Sequence, residues 1–323
     1  MLIRAAVGMG IAIICQGLAQ SVWQLCLFRG LMGLASGYIP NAMALIASQA
    51  PKGRSGFALS MLSTAQISGF LCGPLLGGYL ADHIGLRPVF FVTTGLLVIS
   101  TLVTVFCIKE SRIEALPRRE ANTSQTFWSA LPAKNLIICL LCSTLVVQLC
   151  NGSVNPILYL YVEHLSPSRN DLAFLSGFIA ALPGFSALVT APLWGKVSDK
   201  YGPQWVIIIA SVGFVAILLV TSWVATVWQF SFTRLLIGFA DGAMFPAIQS
   251  LIIACSSTSV SGRLFGYNQS FMNLGNVVGP LLGALTSSLM GMQWVFSVSA
   301  LIMLLNLVIF CRVLRTTPCL KIE

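Results

Sequence analysis

Long apolar runs separated by short polar connections make up most of the chain. Ten of them hold about 20 residues each, which is enough for an α-helix to cross a hydrocarbon core of about 30 Å. The runs lie near residues 2–20, 24–48, 56–80, 88–108, 135–160, 171–194, 204–224, 228–254, 263–289 and 293–313. This pattern predicts an all-α membrane protein with about ten transmembrane helices.

The overall composition indicates that much of the protein surface faces lipid rather than water. Of the 323 residues, 57% are hydrophobic and 8% are charged, and the mean hydropathy is +0.89. A soluble domain carries about 25% charged residues. Because lipid accepts apolar side chains on the outside of a helix bundle, the bilayer is the partner that this composition predicts.

The basic residues are divided unequally between alternate connections. Fourteen lysines and arginines fall in one set of connections and termini, and only Arg87 and Arg169 fall in the other. The first set consists of Arg4, Lys52, Arg54, Lys109, Arg112, Arg118, Arg119, Lys134, Lys196, Lys200, Arg263, Arg312, Arg315 and Lys321. The positive-inside rule therefore places both termini in the cytoplasm. The net charge of +9 reflects this topology, and no nucleic-acid partner is expected.

The longest polar stretch separates two groups of spans. It is charged and contains Pro117 and Pro132, which is typical of a linker. We predict an N-terminal helical bundle over 1–108, a cytoplasmic linker over 109–134 and a C-terminal six-helix bundle over 135–323.

The two groups of spans contain an internal repeat. Trp23-Gln24 followed by Arg29, Gly33 and Gly37 recurs 205 positions later, and a Gly-x-x-x-Gly-Pro-Leu-Leu-Gly segment recurs after 206 positions. The later copies are Trp228, Gln229, Arg234, Gly238 and Gly242, and Gly275–Gly283 for Gly69–Gly77. An even number of spans separates the copies, so the halves are parallel repeats about an axis along the membrane normal, as in one class of secondary transporters.

The repeat also predicts that the N-terminal half is the shorter one. The C-terminal bundle begins near residue 135, so its equivalent would begin about seventy residues before residue 1. Two helices of the C-terminal bundle therefore have no counterpart. The expected architecture is four plus six helices of an expected twelve.

Three ionisable side chains inside predicted spans are candidates for proton coupling: Arg29, Arg234 and Asp241. An arginine at the middle of a span costs about 2.5–3.5 kcal/mol, and these two occupy equivalent positions of the repeat. Asp241 follows Arg234 by seven residues, which places both on one helix face about 10 Å apart. Two other interpretations stay open: the arginines snorkel to the lipid headgroups, or Asp241 is a structural partner of Arg234 or a helix-end residue.

Segments rich in glycine and proline are predicted to control helix packing and conformational change. Small residues let helix backbones approach closely, and proline kinks a helix. The conformational motifs comprise Gly69, Gly73, Pro74 and Gly77, their copies Gly275, Gly279, Pro280 and Gly283, and the loop residues Gly195, Asp199, Lys200 and Gly202. Asp199 is predicted to cap the next helix or to pair with a cation, and Gly202 to permit a tight turn.

Amides within or near the spans are candidates for lining a substrate cavity. They are Asn41, Gln66, Gln148, Asn151, Asn155, Gln249, Asn273 and Asn276. No H-E-x-x-H, G-x-S-x-G or Walker A pattern occurs, and the ten cysteines lie mostly in apolar runs. We therefore expect no catalytic residue, no bound metal and no enzyme activity.

Several of these motifs resemble those of the major facilitator superfamily. Leu25-x-x-x-Arg29-x-x-x-Gly33 is similar to its fourth-helix motif, Gly69–Gly78 to its fifth-helix antiporter motif, and Gly195–Gly202 to a copy of its loop signature. Runs such as Pro40–Ala47 and Gly85–Phe91 resemble bacterial multidrug exporters of this family. The resemblance implies a drug:proton antiporter of the inner membrane that uses the proton gradient and no cofactor.

We therefore expect proton-coupled efflux of amphiphilic drugs or other small molecules by alternating access, from a chain that acts as a monomer. Two alternatives stay open: facilitated or proton-linked uptake of a polar solute, and a truncated membrane protein that does not transport. Collapse of the proton gradient separates coupled efflux from facilitated diffusion, because only the coupled process then stops.

Overall fold

The computed structural model describes residues 2–35, 55–107, 133–166, 171–255 and 261–316. Within these ranges the chain forms eleven α-helices and no strand. The helices are α1 Leu2–Leu18, α2 Val22–Ala35, α3 Ser55–Ile84, α4 Leu86–Cys107, α5 Lys134–Val154, α6 Leu158–Leu165, α7 Leu172–Tyr201, α8 Pro203–Thr221, α9 Val227–Ala254, α10 Ser261–Met290 and α11 Met292–Thr316.

Most of these helices have the length and composition of membrane spans. Among the described residues, α4, α5, α7, α8, α9 and α11 are long and apolar enough to cross a bilayer, and α1 and α2 are apolar but shorter. A helix satisfies its backbone hydrogen bonds internally, so it is the form that an apolar chain adopts in lipid. The architecture confirms the predicted all-α membrane fold.

One of the ten predicted spans is built from two helices. The apolar run predicted at 135–160 is divided into α5 and α6 by a turn over residues 155–157. Pro156 has no backbone N–H and cannot donate to the carbonyl group one turn earlier, so the helical ladder is interrupted. The backbone N–H of Asn155 instead donates to the carbonyl oxygen of Gly152 at 3.3 Å. Proline at this position is the physical reason why the eleven helices of the described residues correspond to ten apolar runs.

The helices belong to two compact units, Met1–Arg119 and Glu120–Glu323. In the first unit, α1 packs against α2 and α4, and α3 packs against α4. In the second, α5 packs against α10 and α11, and α9 packs against α7 and α8. The predicted linker over 109–134 lies outside the described residues apart from its last two positions.

The second unit has an aromatic core cluster that joins α6, α9 and α11. Tyr161, Phe230 and Phe296 are at most 1% exposed, and their ring centroids lie 4.9 to 5.9 Å apart in edge-to-face arrangements. The Tyr161 hydroxyl donates to the carbonyl oxygen of Val224 at 3.2 Å, which satisfies its polar end. Edge-to-face contacts of this kind stabilise a bundle beyond area burial alone. The cluster therefore fixes one end of the helices that carry the site.

Candidate functional site

Helix α10 packs against α5 through its glycines. A Cβ atom added at Gly275 or Gly279 would lie 2.6 Å from a carbonyl oxygen of α5, and one added at Gly283 would overlap the carbonyl group of Ser153. These distances leave no room for a side chain, so the two backbones are in direct contact. The second copy of the glycine–proline motif is therefore a close helix–helix contact.

The first copy of this motif has different surroundings. Among the described residues, a Cβ atom added at Gly69, Gly73 or Gly77 of α3 would meet nothing within 4 Å. The corresponding face of α10 is covered by α5, which is one of the two helices predicted to lack a counterpart in the first unit. Among the described residues, the two copies of the motif therefore differ in their helix contacts.

Buried hydrogen bonds join α5 to α10 and α11. Ser143 and Asn306 are linked at 3.1 to 3.2 Å, and the Thr144 hydroxyl donates to Oδ1 of Asn268 at 2.7 Å. All four side chains are at most 7% exposed. Interhelical hydrogen bonds of this type contribute about 0.6 kcal/mol each within a membrane bundle. None of these residues was a predicted candidate; the signal that identifies them is an amide inside an otherwise apolar helix, which needs a partner.

Four predicted candidates form two hydrogen-bonded pairs beside one face of α5. The Asn151 amide donates to both carboxylate oxygens of Asp241, at 3.0 and 3.1 Å. The Gln148 amide donates to Oδ1 of Asn276 at 2.6 Å. Gln148 and Asn151 are three residues apart on α5, so both pairs lie on the same helix face. We call Gln148, Asn151, Asp241 and Asn276 the amide–carboxylate cluster.

The chemistry of the amide–carboxylate cluster is centred on Asp241. This carboxylate is partly exposed, and Asn151 satisfies only part of its capacity to accept hydrogen bonds. An ionised carboxylate among apolar helices is costly, and binding a proton or a cation removes that cost. The cluster is therefore suited to exchange a proton and to hold a polar group of a small molecule.

The two equivalent arginines occupy different environments. Arg234 on α9 is 5% exposed, and its Nε atom has no hydrogen-bond partner among the described residues. Arg29 on α2 is exposed, and its Nη1 atom lies 3.5 Å from Oε1 of Gln16. The difference follows from packing, because α9 is enclosed by α7 and α8 whereas α2 packs against α1. Among the described residues, Asp241 accepts its hydrogen bonds from the Asn151 amide.

The remaining cavity candidates do not join the amide–carboxylate cluster through a hydrogen bond of the described residues. Asn273 accepts a hydrogen bond from the Gln269 amide at 3.3 Å, and both side chains are exposed on α10. Gln249 is exposed on α9, and Asn155 is exposed in the turn after α5. Asn41 and the side chain of Gln66 lie outside the described residues.

The loop between α7 and α8 contains the third predicted motif. Gly202 has φ of 89°, which confirms the tight turn, and Pro203 begins α8 immediately afterwards. The prediction that Asp199 caps α8 is wrong: the capping position is Gly202 and no side chain bonds there. The physical reason is that α7 continues to Tyr201 and includes Asp199. Gly195 also lies within α7.

We expect Arg234→Met to lower transport about tenfold without loss of folded protein. Methionine keeps much of the apolar length of the side chain and removes a buried charge whose Nε atom has no hydrogen-bond partner among the described residues. Transport rate and thermal stability should be measured on the same purified protein. Arg87→Met, at an exposed position, is the matched control. If the variant loses transport only because less of the protein stays folded, Arg234 has a purely structural role.

Comparison with known proteins relates the chain to one family. The family described as Major Facilitator Superfamily matches it twice, over residues 1–165 and 140–320. Multidrug resistance protein MdtG of Escherichia fergusonii is 45% identical over 315 residues, which cover 98% of this chain and 77% of that protein. MdtG of Escherichia coli strain SMS-3-5 is 46% identical over 320 residues, again covering 98% and 77%.

Solved structures show the same fold at low sequence identity. A bacterial homologue of the human lysosomal transporter Spinster, in an inward-facing and unoccupied conformation, has a TM-score of 0.80 and 16% identity, covering 98% of this chain and 82% of that one. The human organic anion transporter MFSD10 has a TM-score of 0.63 and 19% identity, covering 96% and 76%.

Proposed function

Because the chain belongs to the Major Facilitator Superfamily, we propose that it is a proton-coupled exporter of amphiphilic drugs or other small molecules. The family and the similarity to the MdtG multidrug resistance proteins make it a multi-pass membrane transporter and not an enzyme. The direction of transport, the proton coupling and the alternating access are our proposal.

The observation that carries the proposal is the contact between Asp241 of α9 and Asn151 of α5. A proton on Asp241 would neutralise the carboxylate and weaken its two hydrogen bonds from the Asn151 amide, since charge-assisted hydrogen bonds are about twice as strong as neutral ones. Protonation would thereby change how firmly α5 is held to α9. Among the described residues, the groups of α5 that face Gly275, Gly279 and Gly283 are backbone atoms and the Gln148 side chain, none of which titrates, so α5 and α10 would move together.

We further propose that the substrate binds beside the amide–carboxylate cluster as Asp241 releases its proton. The partly buried amide of Gln148 and the exposed amide of Asn276 would orient polar groups, and the surrounding apolar side chains would accept the rest of an amphiphile. Proton and substrate would then occupy the site alternately, which is the requirement for exchange. No cofactor takes part, and the protein would work as a monomer in the bacterial inner membrane with both termini in the cytoplasm.

The proposal is tested by drug accumulation in a bacterial strain that lacks its own exporters. Cells producing the protein should accumulate less ethidium, rhodamine 6G and Hoechst 33342 than cells with an empty vector. A protonophore should raise accumulation to the level of the empty-vector cells. Lower accumulation that survives the protonophore would mean uncoupled transport, and higher accumulation would mean uptake.

A second candidate is that the chain transports only when a further helix pair covers the first unit. The open face of α3 at Gly69, Gly73 and Gly77 favours this possibility. A version extended at its N-terminus by the corresponding two-helix segment of MdtG separates the candidates. Transport by the extended version alone would support the second candidate, and equal transport by both would exclude it.

A further inference from the structure

A groove lies beside the turn that joins α7 to α8. Its volume is about 380 Å³, and it is lined by Val197, Tyr201, Trp205, Val206 and Ile209. Tyr201 and Trp205 are 58% and 54% exposed, and Ile209 is 53% exposed. The walls are therefore apolar or aromatic and open to the outside of the second unit.

Two lysines of α7 flank this groove without lining it. Lys196 and Lys200 are exposed and four residues apart, so they lie on one face of α7 next to Val197 and Tyr201. The Lys200 Nζ atom lies 5.1 Å from the centroid of the Tyr201 ring, which is itself part of the groove wall. The helical period places the exposed Asp199 on the flank of Lys196 that is away from the groove.

The lysines and the apolar groove wall follow one another in the same order as the charged headgroup and the acyl chains of a phospholipid. Lys200 is in the last turn of α7 and Lys196 lies one turn before it, at the helix end that the distribution of basic residues assigns to the cytoplasmic side. Tyrosine and tryptophan favour the level of the headgroups, and the branched side chains along α8 continue toward the hydrocarbon. Paired cations attract an anionic headgroup more strongly than a zwitterionic one.

We propose that this groove binds one anionic glycerophospholipid from the cytoplasmic leaflet. The phosphate group lies at Lys196 and Lys200, and one acyl chain lies along Tyr201, Trp205 and Ile209. A free phosphate ion makes no use of the apolar walls, and a zwitterionic phospholipid has no net charge for the lysines. The site is separate from the amide–carboxylate cluster and does not depend on the proposed transport activity.

The experiment is native mass spectrometry of the full chain released from nanodiscs that contain equal amounts of phosphatidylglycerol and phosphatidylcholine. We expect one retained phosphatidylglycerol, with a preference over phosphatidylcholine of about tenfold. The double variant Lys196→Gln, Lys200→Gln should lose this preference. The matched control is Arg312→Gln, Arg315→Gln, which removes two exposed cations from the end of α11 and should keep it.

A second variant tests the groove without changing any charge. Trp205→Ala should shorten lipid retention, and soluble glycerol phosphate should not displace the bound lipid. Thermal unfolding of each variant in detergent checks that the fold is retained. If both double variants lose the preference for phosphatidylglycerol equally, the preference comes from general surface charge, and the proposal is overturned. Retention of phosphatidylglycerol by the lysine variant, or its displacement by glycerol phosphate, would also overturn it.

Discussion

Replacing Asp241 with asparagine is expected to reduce proton-driven transport to background while the protein stays folded and inserted in the membrane. Asparagine has nearly the same shape as aspartate and still accepts a hydrogen bond from Asn151, so the contact between α5 and α9 is kept. It cannot ionise, so it cannot bind and release a proton. The loss should therefore appear in coupling and not in folding.

The same variant should retain exchange of substrate down its gradient. An amide resembles the protonated carboxylic acid, so the conformational change that follows protonation remains possible without a proton. Counterflow of labelled substrate in proteoliposomes measures this exchange, and uphill accumulation driven by a pH gradient measures coupling. Asp171→Asn is the matched control because it makes the same chemical change at an exposed position before α7. Unchanged uphill transport by Asp241→Asn would remove this residue from the mechanism.

The second large effect is a loss of stability, and it is expected at the glycine–proline motif of α10, where the surroundings differ from those of the copy in α3. Gly279→Leu should strongly destabilise the second unit, because a Cβ atom there lies 2.6 Å from the carbonyl oxygen of Leu149 and the backbones must separate. Overpacking costs about 1–3 kcal/mol where side chains can adjust, and a backbone contact allows less adjustment. Fluorescence-detected size exclusion after heating should show loss of the folded peak at a much lower temperature.

The repeat supplies the matched control at the equivalent position. Gly73→Leu should change stability by less than about 0.5 kcal/mol, since among the described residues nothing lies within 4 Å of its Cβ position. In a version extended by two N-terminal helices, the same substitution should become as damaging as Gly279→Leu. Equal damage in the unextended chain would show that this face of α3 is already covered.

The protein class and the helix content could be predicted because they depend mainly on the length of the apolar runs. Apolar length predicts a span, and the proline at position 156 explains why one run becomes two helices. Gln148, Asn151 and Asn276 were predicted only as members of a common cavity, and Asp241 only as a proton-coupling candidate. Neither the pairing of Gln148 with Asn276 nor that of Asn151 with Asp241 was predicted. Actual pairing depends on how each helix is rotated about its axis, which an apolar run does not encode.

Equivalent positions in the sequence repeat do not predict equal burial of the two arginines. Arg29 and Arg234 occupy the same position of the repeat, yet only Arg234 is buried, because burial depends on which other helices surround the span. Asp199 illustrates a different limit, since its capping role required α7 to end several residues earlier than it does. A helix boundary that differs by one turn reverses such an assignment.

The most direct test of proton-coupled export is transport in proteoliposomes containing the purified chain. With an acidic interior and protein oriented inside-out, the vesicles should accumulate ethidium against its gradient. Accumulation should end when nigericin with potassium removes the pH difference, and vesicles containing Asp241→Asn should not accumulate it. Accumulation that continues after nigericin, or that is equal with Asp241→Asn, would contradict proton coupling at this carboxylate.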